Sequence, residues 1–226
     1  MNKVLLSMSL LLFSSGSYSQ ELSQITFSEG SSLSSFSFIT DQKVVIRITP
    51  EGKIVEWGMD PGIGRYNYYT GKLQPFMGRV EYYTATEYDS VLRGKVKSIG
   101  TCRLTYYGAT EPETKIGKLK SIGIQQLDYV SYESIDNKGK LRSAGYTLFE
   151  YYPSSENEAF KGKLKSVGNT PITWYSSFDD KLIKGKVKNI GTVKYTWYTS
   201  HDINGYGGLK SGSPTQVING VTYIIR

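Results

Sequence analysis

The chain has 226 residues, 38% hydrophobic and 13% aromatic, with 19 tyrosines, 24 glycines and a formal charge of +7. That length fits one domain or one continuous repeat array. Its single cysteine, Cys102, excludes an internal disulfide, so stability has to come from apolar burial and sheet hydrogen bonds.

The first element is a secretory signal. Lys3 is followed by an apolar run from Val4 to Phe13 and then by small and polar residues, with Ser17-Tyr18-Ser19 as the cleavage site. The run is about half the roughly 20 residues a spanning helix needs. Residues 1–19 are therefore expected to be removed, leaving a single domain over 20–226 that is secreted or periplasmic and has no transmembrane segment. No cysteine stands directly after the signal segment, so no lipid anchor is expected there. The remaining 26 basic and 20 acidic residues suit a soluble chain or one that meets an anionic glycan; no nucleic-acid partner is expected.

Next, "KVVIRITPEGKIVEW" reads as an N-terminal hairpin over about 43–57, turning at Pro50-Glu51-Gly52. Beyond it, "GKVKSIG" at Gly94 returns as "GKLKSIG" at Gly117, "GKLRSAG" at Gly139, "GKLKSVG" at Gly162 and "GKVKNIG" at Gly185. Gly71 and Gly207 continue the series, and "GKIVEWG" from Gly52 is a divergent first member. A fixed step of 22 or 23 residues marks a repeat architecture, here of about eight units over 66–212.

Each unit is rich in Tyr, Val, Ile, Thr and Trp, which suit strands. Alternate positions of "GKVKSIGTCRLTYY" put Val96, Cys102, Leu104 and Tyr106 on one face and Lys95, Lys97, Ile99 and Arg103 on the other. The same offsets bury Leu119, Leu127 and Tyr129, then Leu141, Phe149 and Tyr151, then Leu164, Ile172 and Trp174. For this phase to survive the second glycine, each unit is either one long strand bent there or a hairpin with a three-residue turn, because a two-residue turn exchanges the faces. Parallel stacking would line up the lysine pairs as like-charge ladders, so neighbouring strands are expected to run antiparallel. The lysine stems then lie against Tyr107, Tyr152, Tyr175 or Tyr198. The last element is a C-terminal hairpin over about 214–226 with an Asn219-Gly220 turn; the flanking hairpins are expected to cap the array.

The expected fold is all-β: an antiparallel meander of repeats, curled like a barrel or elongated. The aromatic pair, turn and Gly-x-Leu order of "ITWYSSFDDKLIKGKVKNIG" and "YTWYTSHDINGYGGLKSG" resembles YD (Rhs-type) repeats and bacterial cell-wall-binding repeats. That resemblance implies a non-catalytic shell, spacer or glycan-attachment module.

Little in the chain points to catalysis. The one histidine, His201, stands beside Asp202 in a turn-rich stretch with no nucleophile or ligand cluster in sequence, and Gly62-Ile63-Gly64 lacks the third glycine of a dinucleotide loop. The acidic stretches lack the ordered spacing of a calcium loop, so no metal and no cofactor is expected. The candidate ligand-binding residues are the recurring aromatics Tyr107, Tyr152, Trp174, Tyr175, Trp197 and Tyr198 with Lys163, Lys165, Lys186 and Lys188. The functional expectation is an exported non-enzymatic scaffold or binding protein that contacts an anionic glycan or cell-surface polymer. Two alternatives stand beside it: a carrier of a small apolar ligand inside a closed barrel, and a hydrolase with an unrecognised site.

Overall fold

The computed structural model describes residues 20–61, 72–132, 135–203 and 205–226. The expected signal segment, the Gly62-Ile63-Gly64 stretch and Gly71 lie outside them. The described residues are all-β and hold no helix long and apolar enough to cross a membrane.

The repeated segment forms an eleven-stranded meander, each strand paired with its neighbour in sequence. It runs through β5 (Val80–Tyr82), β6 (Val96–Ile99), β7 (Cys102–Tyr106), β8 (Leu119–Ile122), β9 (Gln125–Tyr129) and β10 (Leu141–Ala144). It continues through β11 (Thr147–Tyr151), β12 (Leu164–Val167), β13 (Thr170–Trp174), β14 (Val187–Ile190) and β15 (Val193–Lys194). A separate pair, β16 (Thr196–Trp197) and β17 (Leu209–Ser211), follows. All of these pairings are antiparallel, as the lysine argument requires.

At the second glycine of each heptad the structure departs from both expected forms. The turn has two residues, with Ile99 paired to Cys102 and Val167 to Thr170. Gly100, Gly123, Gly145, Gly168 and Gly191 have φ of +51° to +57°, while the residue after each keeps negative φ. This is the type II′ turn, whose twist matches that of the strands and whose first position suits glycine. Such a turn does exchange the faces, and the sheet compensates one residue earlier. Thr105 pairs with Ser121 but Tyr106 with Leu119, so Lys120 is an extra, bulged residue. Lys97, Arg142, Lys165, Lys188 and Lys210 are bulged in the same way. One bulge and one short turn each reverse the phase, and together they restore it. Ile99 and Ile190, placed outside by simple alternation, are consequently fully buried beside Val96 and Val187.

A single-layer sheet with one apolar face needs a cover. The flanking hairpins, expected as end caps, supply it as part of a second sheet. Its strands are β1 (Glu21–Ser28), β2 (Ser32–Ile39), β3 (Val44–Ile48), β4 (Ile54–Met59), β18 (Thr215–Ile218) and β19 (Val221–Ile225), in the order β18-β19-β1-β2-β3-β4. The C-terminal hairpin turns at Asn219-Gly220 with φ of +50° and +80°, as its sequence requires. β19 then pairs parallel with β1, Gln24 opposite Thr222.

The two sheets meet through side chains and backbone. Phe27 sits edge-on to Trp174 at 5.6 Å between centroids, and Phe36 lies 4.6 Å from Phe149. At one rim, Leu141 N donates to Pro50 O at 2.7 Å and Val187 N to Gly30 O at 2.8 Å. At the other, Gln42 accepts from Thr101 N and Gln20 from Ile124 N. The meander's end strands β5 and β15 do not pair with each other, so no barrel closes. The space between the sheets is filled by fully buried side chains such as Ile25, Ile46, Leu104, Leu119 and Ile172. The closed barrel that a ligand carrier would use is therefore not formed.

Candidate functional site

The ten residues singled out in the sequence fall into two rows on opposite sides of the repeat sheet's rim. Trp174 and Trp197 belong to the inner row and are each only 5% exposed. Their indole nitrogens donate to Leu164 O and Val187 O at 2.8 Å, ten residues back. Tyr106, Tyr129 and Tyr151 make the same bond through their hydroxyls, to Val96 O, Leu119 O and Leu141 O. Each acceptor directly precedes the bulged residue, where the ladder is disrupted and a carbonyl needs a donor from elsewhere. Hence the position holds Tyr or Trp, aromatics with a donor.

The first lysine of each heptad lies over the ring of that inner aromatic. Lys163 Nζ is 4.8 Å from the Trp174 centroid and Lys186 Nζ is 4.6 Å from that of Trp197; Lys95, Lys118 and Lys140 cover Tyr106, Tyr129 and Tyr151 likewise. Their ammonium groups also tie neighbouring elements together. Lys163 donates to Ser31 O and, at 2.7 Å, to Gly185 O; Lys140 reaches Gly162 O at 2.6 Å; Lys186 reaches Glu29 O at 3.0 Å. Burial, with the charge of Lys186 nearby, pushes the Lys163 ammonium down to about 8. Burial pushes the hydroxyls of Tyr106, Tyr129 and Tyr151 well above the ordinary phenol value. These lysines are half-buried braces, where the heptad pattern suggests a wetted outer face.

The outer row consists of Tyr107, Tyr152, Tyr175 and Tyr198 under the long connections, with Tyr83 before them. The hydroxyls of Tyr83, Tyr107, Tyr152 and Tyr175 donate forward to Leu104 O, Leu127 O, Ile172 O and Tyr195 O at 2.8–3.2 Å. Over these rings lie the bulged lysines: Lys97 on Tyr83, Lys120 on Tyr107, Lys165 on Tyr152, Lys188 on Tyr175 and Lys210 on Tyr198, at 5.2–5.7 Å. Three of these cations also face an acid from the long connection: Lys120 with Glu111, Lys165 with Glu156 and Lys210 with Asp202. Their side chains stay 46–47% exposed, so the row is a line of accessible charge on a braced frame.

The row has one interruption that sequence reading overlooked. The third aromatic pair is Tyr129-Val130, with valine where the other units place tyrosine. A depression of about 460 Å³ opens there, lined by Val130, Asn137, Arg142, Leu148 and Phe149 among others. The signal was present in the aligned pairs Tyr106-Tyr107, Tyr151-Tyr152, Trp174-Tyr175 and Trp197-Tyr198.

The other residues weighed for chemistry, His201 with Asp202 and Cys102, stand in different surroundings. His201 is exposed and 3.9 Å from Asp180, while Asp202 accepts from Lys210 at 2.6 Å and from Thr199, which holds its carboxyl down at about 2. Cys102 is buried, and desolvation chiefly, with Asp41 adding, pushes its thiol up to about 11. No family model, curated protein or solved structure matches the chain.

Proposed function

We propose that this is an exported, non-enzymatic β-repeat scaffold whose bulged cations engage an anionic glycan or another anionic cell-surface polymer. The observation that carries this reading is the line Lys97, Lys120, Arg142, Lys165, Lys188 and Lys210, one cation at the same bulge in successive units. Units two strands wide set neighbouring charges about 9.6 Å apart, twice the inter-strand spacing. A regular cation row of this kind suits a polymer with regularly spaced charges better than a small ligand. The resemblance to cell-wall-binding and YD repeats points the same way, as does the leader read in residues 1–19. The non-enzymatic reading is supported by how the titratable groups of the two rows are used: Lys118, Lys140, Lys163 and Lys186 donate to backbone carbonyls, as do the hydroxyls of Tyr83, Tyr106, Tyr107, Tyr129, Tyr151, Tyr152 and Tyr175.

The test compares retention on dextran sulfate with retention on neutral dextran. The expected result is salt-sensitive retention on the sulfated polymer alone, lost stepwise in Lys165→Glu and Lys165→Glu/Lys188→Glu variants that keep the parent's unfolding midpoint. Equal retention by the parent and the double variant would remove the proposal. So would retention that does not change with salt.

A further inference from the structure

We infer that the depression at Val130 is a binding site for a phenolic ring, a function beyond polymer contact that uses two cations of the same row, Arg142 and Lys165. The equivalent space in the next unit is occupied by the ring of Tyr152. That ring packs at 4.7 Å against Phe160, lies 5.4 Å beneath Lys165, and donates its hydroxyl to Ile172 O at 3.0 Å. Counted along the heptads, Asn137 stands where Phe160 does, two residues before the opening glycine. Arg142 stands where Lys165 does, at the bulge, and Phe149 stands where Ile172 does. Those three equivalents line the depression, so the frame that holds a tyrosine ring elsewhere is built here around a valine.

The chemistry follows from the frame. The Phe149 carbonyl takes the place of the acceptors that receive a tyrosine hydroxyl in four other units, and among the described residues no tyrosine hydroxyl reaches it. A guanidinium at the Arg142 position stacks on an aromatic face better than an ammonium does. Lys165 adds a second cation and Glu150 an acid at the rim, and the exposed Leu148 supplies apolar wall beside the buried Val130. A volume of about 460 Å³ exceeds a phenol ring and lies within the usual range for small-molecule sites. The occupant is therefore an aromatic ring with one hydroxyl donor, either as a free small phenol or as the tyrosyl side chain of a peptide.

The full chain is titrated with 4-methylphenol, with toluene, and with a short peptide carrying one tyrosine, and residue-specific amide shifts are followed by NMR. The expected result is saturable shifts from 4-methylphenol confined to the neighbourhood of Val130, Arg142 and Phe149. Toluene should bind roughly fivefold more weakly, the worth of one hydrogen bond. Tighter binding of the peptide than of 4-methylphenol assigns the site to a protein partner, and the reverse order to a free phenol. Val130→Tyr is expected to fill the site and weaken 4-methylphenol at least tenfold. If that variant does not fold, the toluene comparison and the shift map on the parent chain decide alone. Shifts scattered over the surface, no saturation up to the solubility limit, or equal affinity for toluene would each overturn the inference. Undiminished binding to a folded Val130→Tyr variant would overturn it as well.

Discussion

The indole of Trp174 donates to the carbonyl of Leu164 at 2.8 Å, ten residues earlier on the paired strand of its own hairpin. The bond explains why a buried position accepts Tyr or Trp and not Phe in five successive units. Trp174→Phe keeps a ring and deletes the donor, and should destabilise the protein by about 1–3 kcal/mol because a buried acceptor is stranded. Trp174→Ala also opens a cavity, and should cost about 3–5 kcal/mol. Denaturant unfolding measures both. A Phe variant as stable as the parent would mean that the carbonyl is satisfied without the indole.

Gly168 isolates the energetics of the turn. Its φ is +51° and a Cβ there would meet nothing within 4 Å, so Gly168→Ala tests backbone strain alone. The expected loss is about 1–3 kcal/mol, the cost of holding an L-residue in a sparsely populated positive-φ conformation. Placing D-alanine at 168 by semisynthesis should restore parent stability.

The bulged lysines set the phase of each unit. Deleting Lys120 should push Leu119 out of register with Tyr106 and cost at least about 2–5 kcal/mol, as for loss of a buried leucine. Lys120→Ala keeps the residue count and should stay within about 1 kcal/mol of the parent, since its ion pair is exposed. Thermal melts of the two variants separate a spacing role from a contact role.

Stability should rise as pH climbs from about 8 toward 10. In that window Lys163 has lost its proton in the native state, where burial lowers its affinity, while the unfolded chain still holds it. Above about 9 the Cys102 thiol, held up to about 11 in the native state, tempers the rise, and above about 10 the trend reverses, because tyrosines in the unfolded chain ionise while buried ones such as Tyr107, held up to about 12, do not. Unfolding midpoints across pH 7–11 test this, and Lys163→Met should flatten the rise.

How much of this could be read from residues alone differs from element to element. The all-β class, the antiparallel pairing and the hairpins turning at Gly52 and Asn219-Gly220 were legible because strand residues, lysine repulsion and turn chemistry agree there. The faces of Leu104, Phe149 and Ile172 were also legible, yet Ile99 and Ile190 were misplaced, since a bulge leaves no mark in composition. β1 and β2 went unread although Ile25 and Phe27, then Phe36 and Phe38, alternate as strands do; they lie outside the repeat that drew attention. The row of aromatics was visible, but its division into buried donors and braced outer rings depends on carbonyls that only the bulged backbone presents. The break at Val130 lay in plain sight and gained meaning once its neighbours' rings were seen to be latched.

Gln24 lies beside Thr222, so nearly the whole polypeptide is looped between two strands that touch. Hairpins in the middle of the chain assemble from near neighbours and have no need to wait for the ends, whereas this seam must join segments about 200 positions apart, a slow class of closure. The cover over the repeats is thus expected to be completed last, when the β18-β19 hairpin docks its β19 edge on β1. A chain cut short before residue 215 would leave the β1 edge bare and its apolar face open to other molecules.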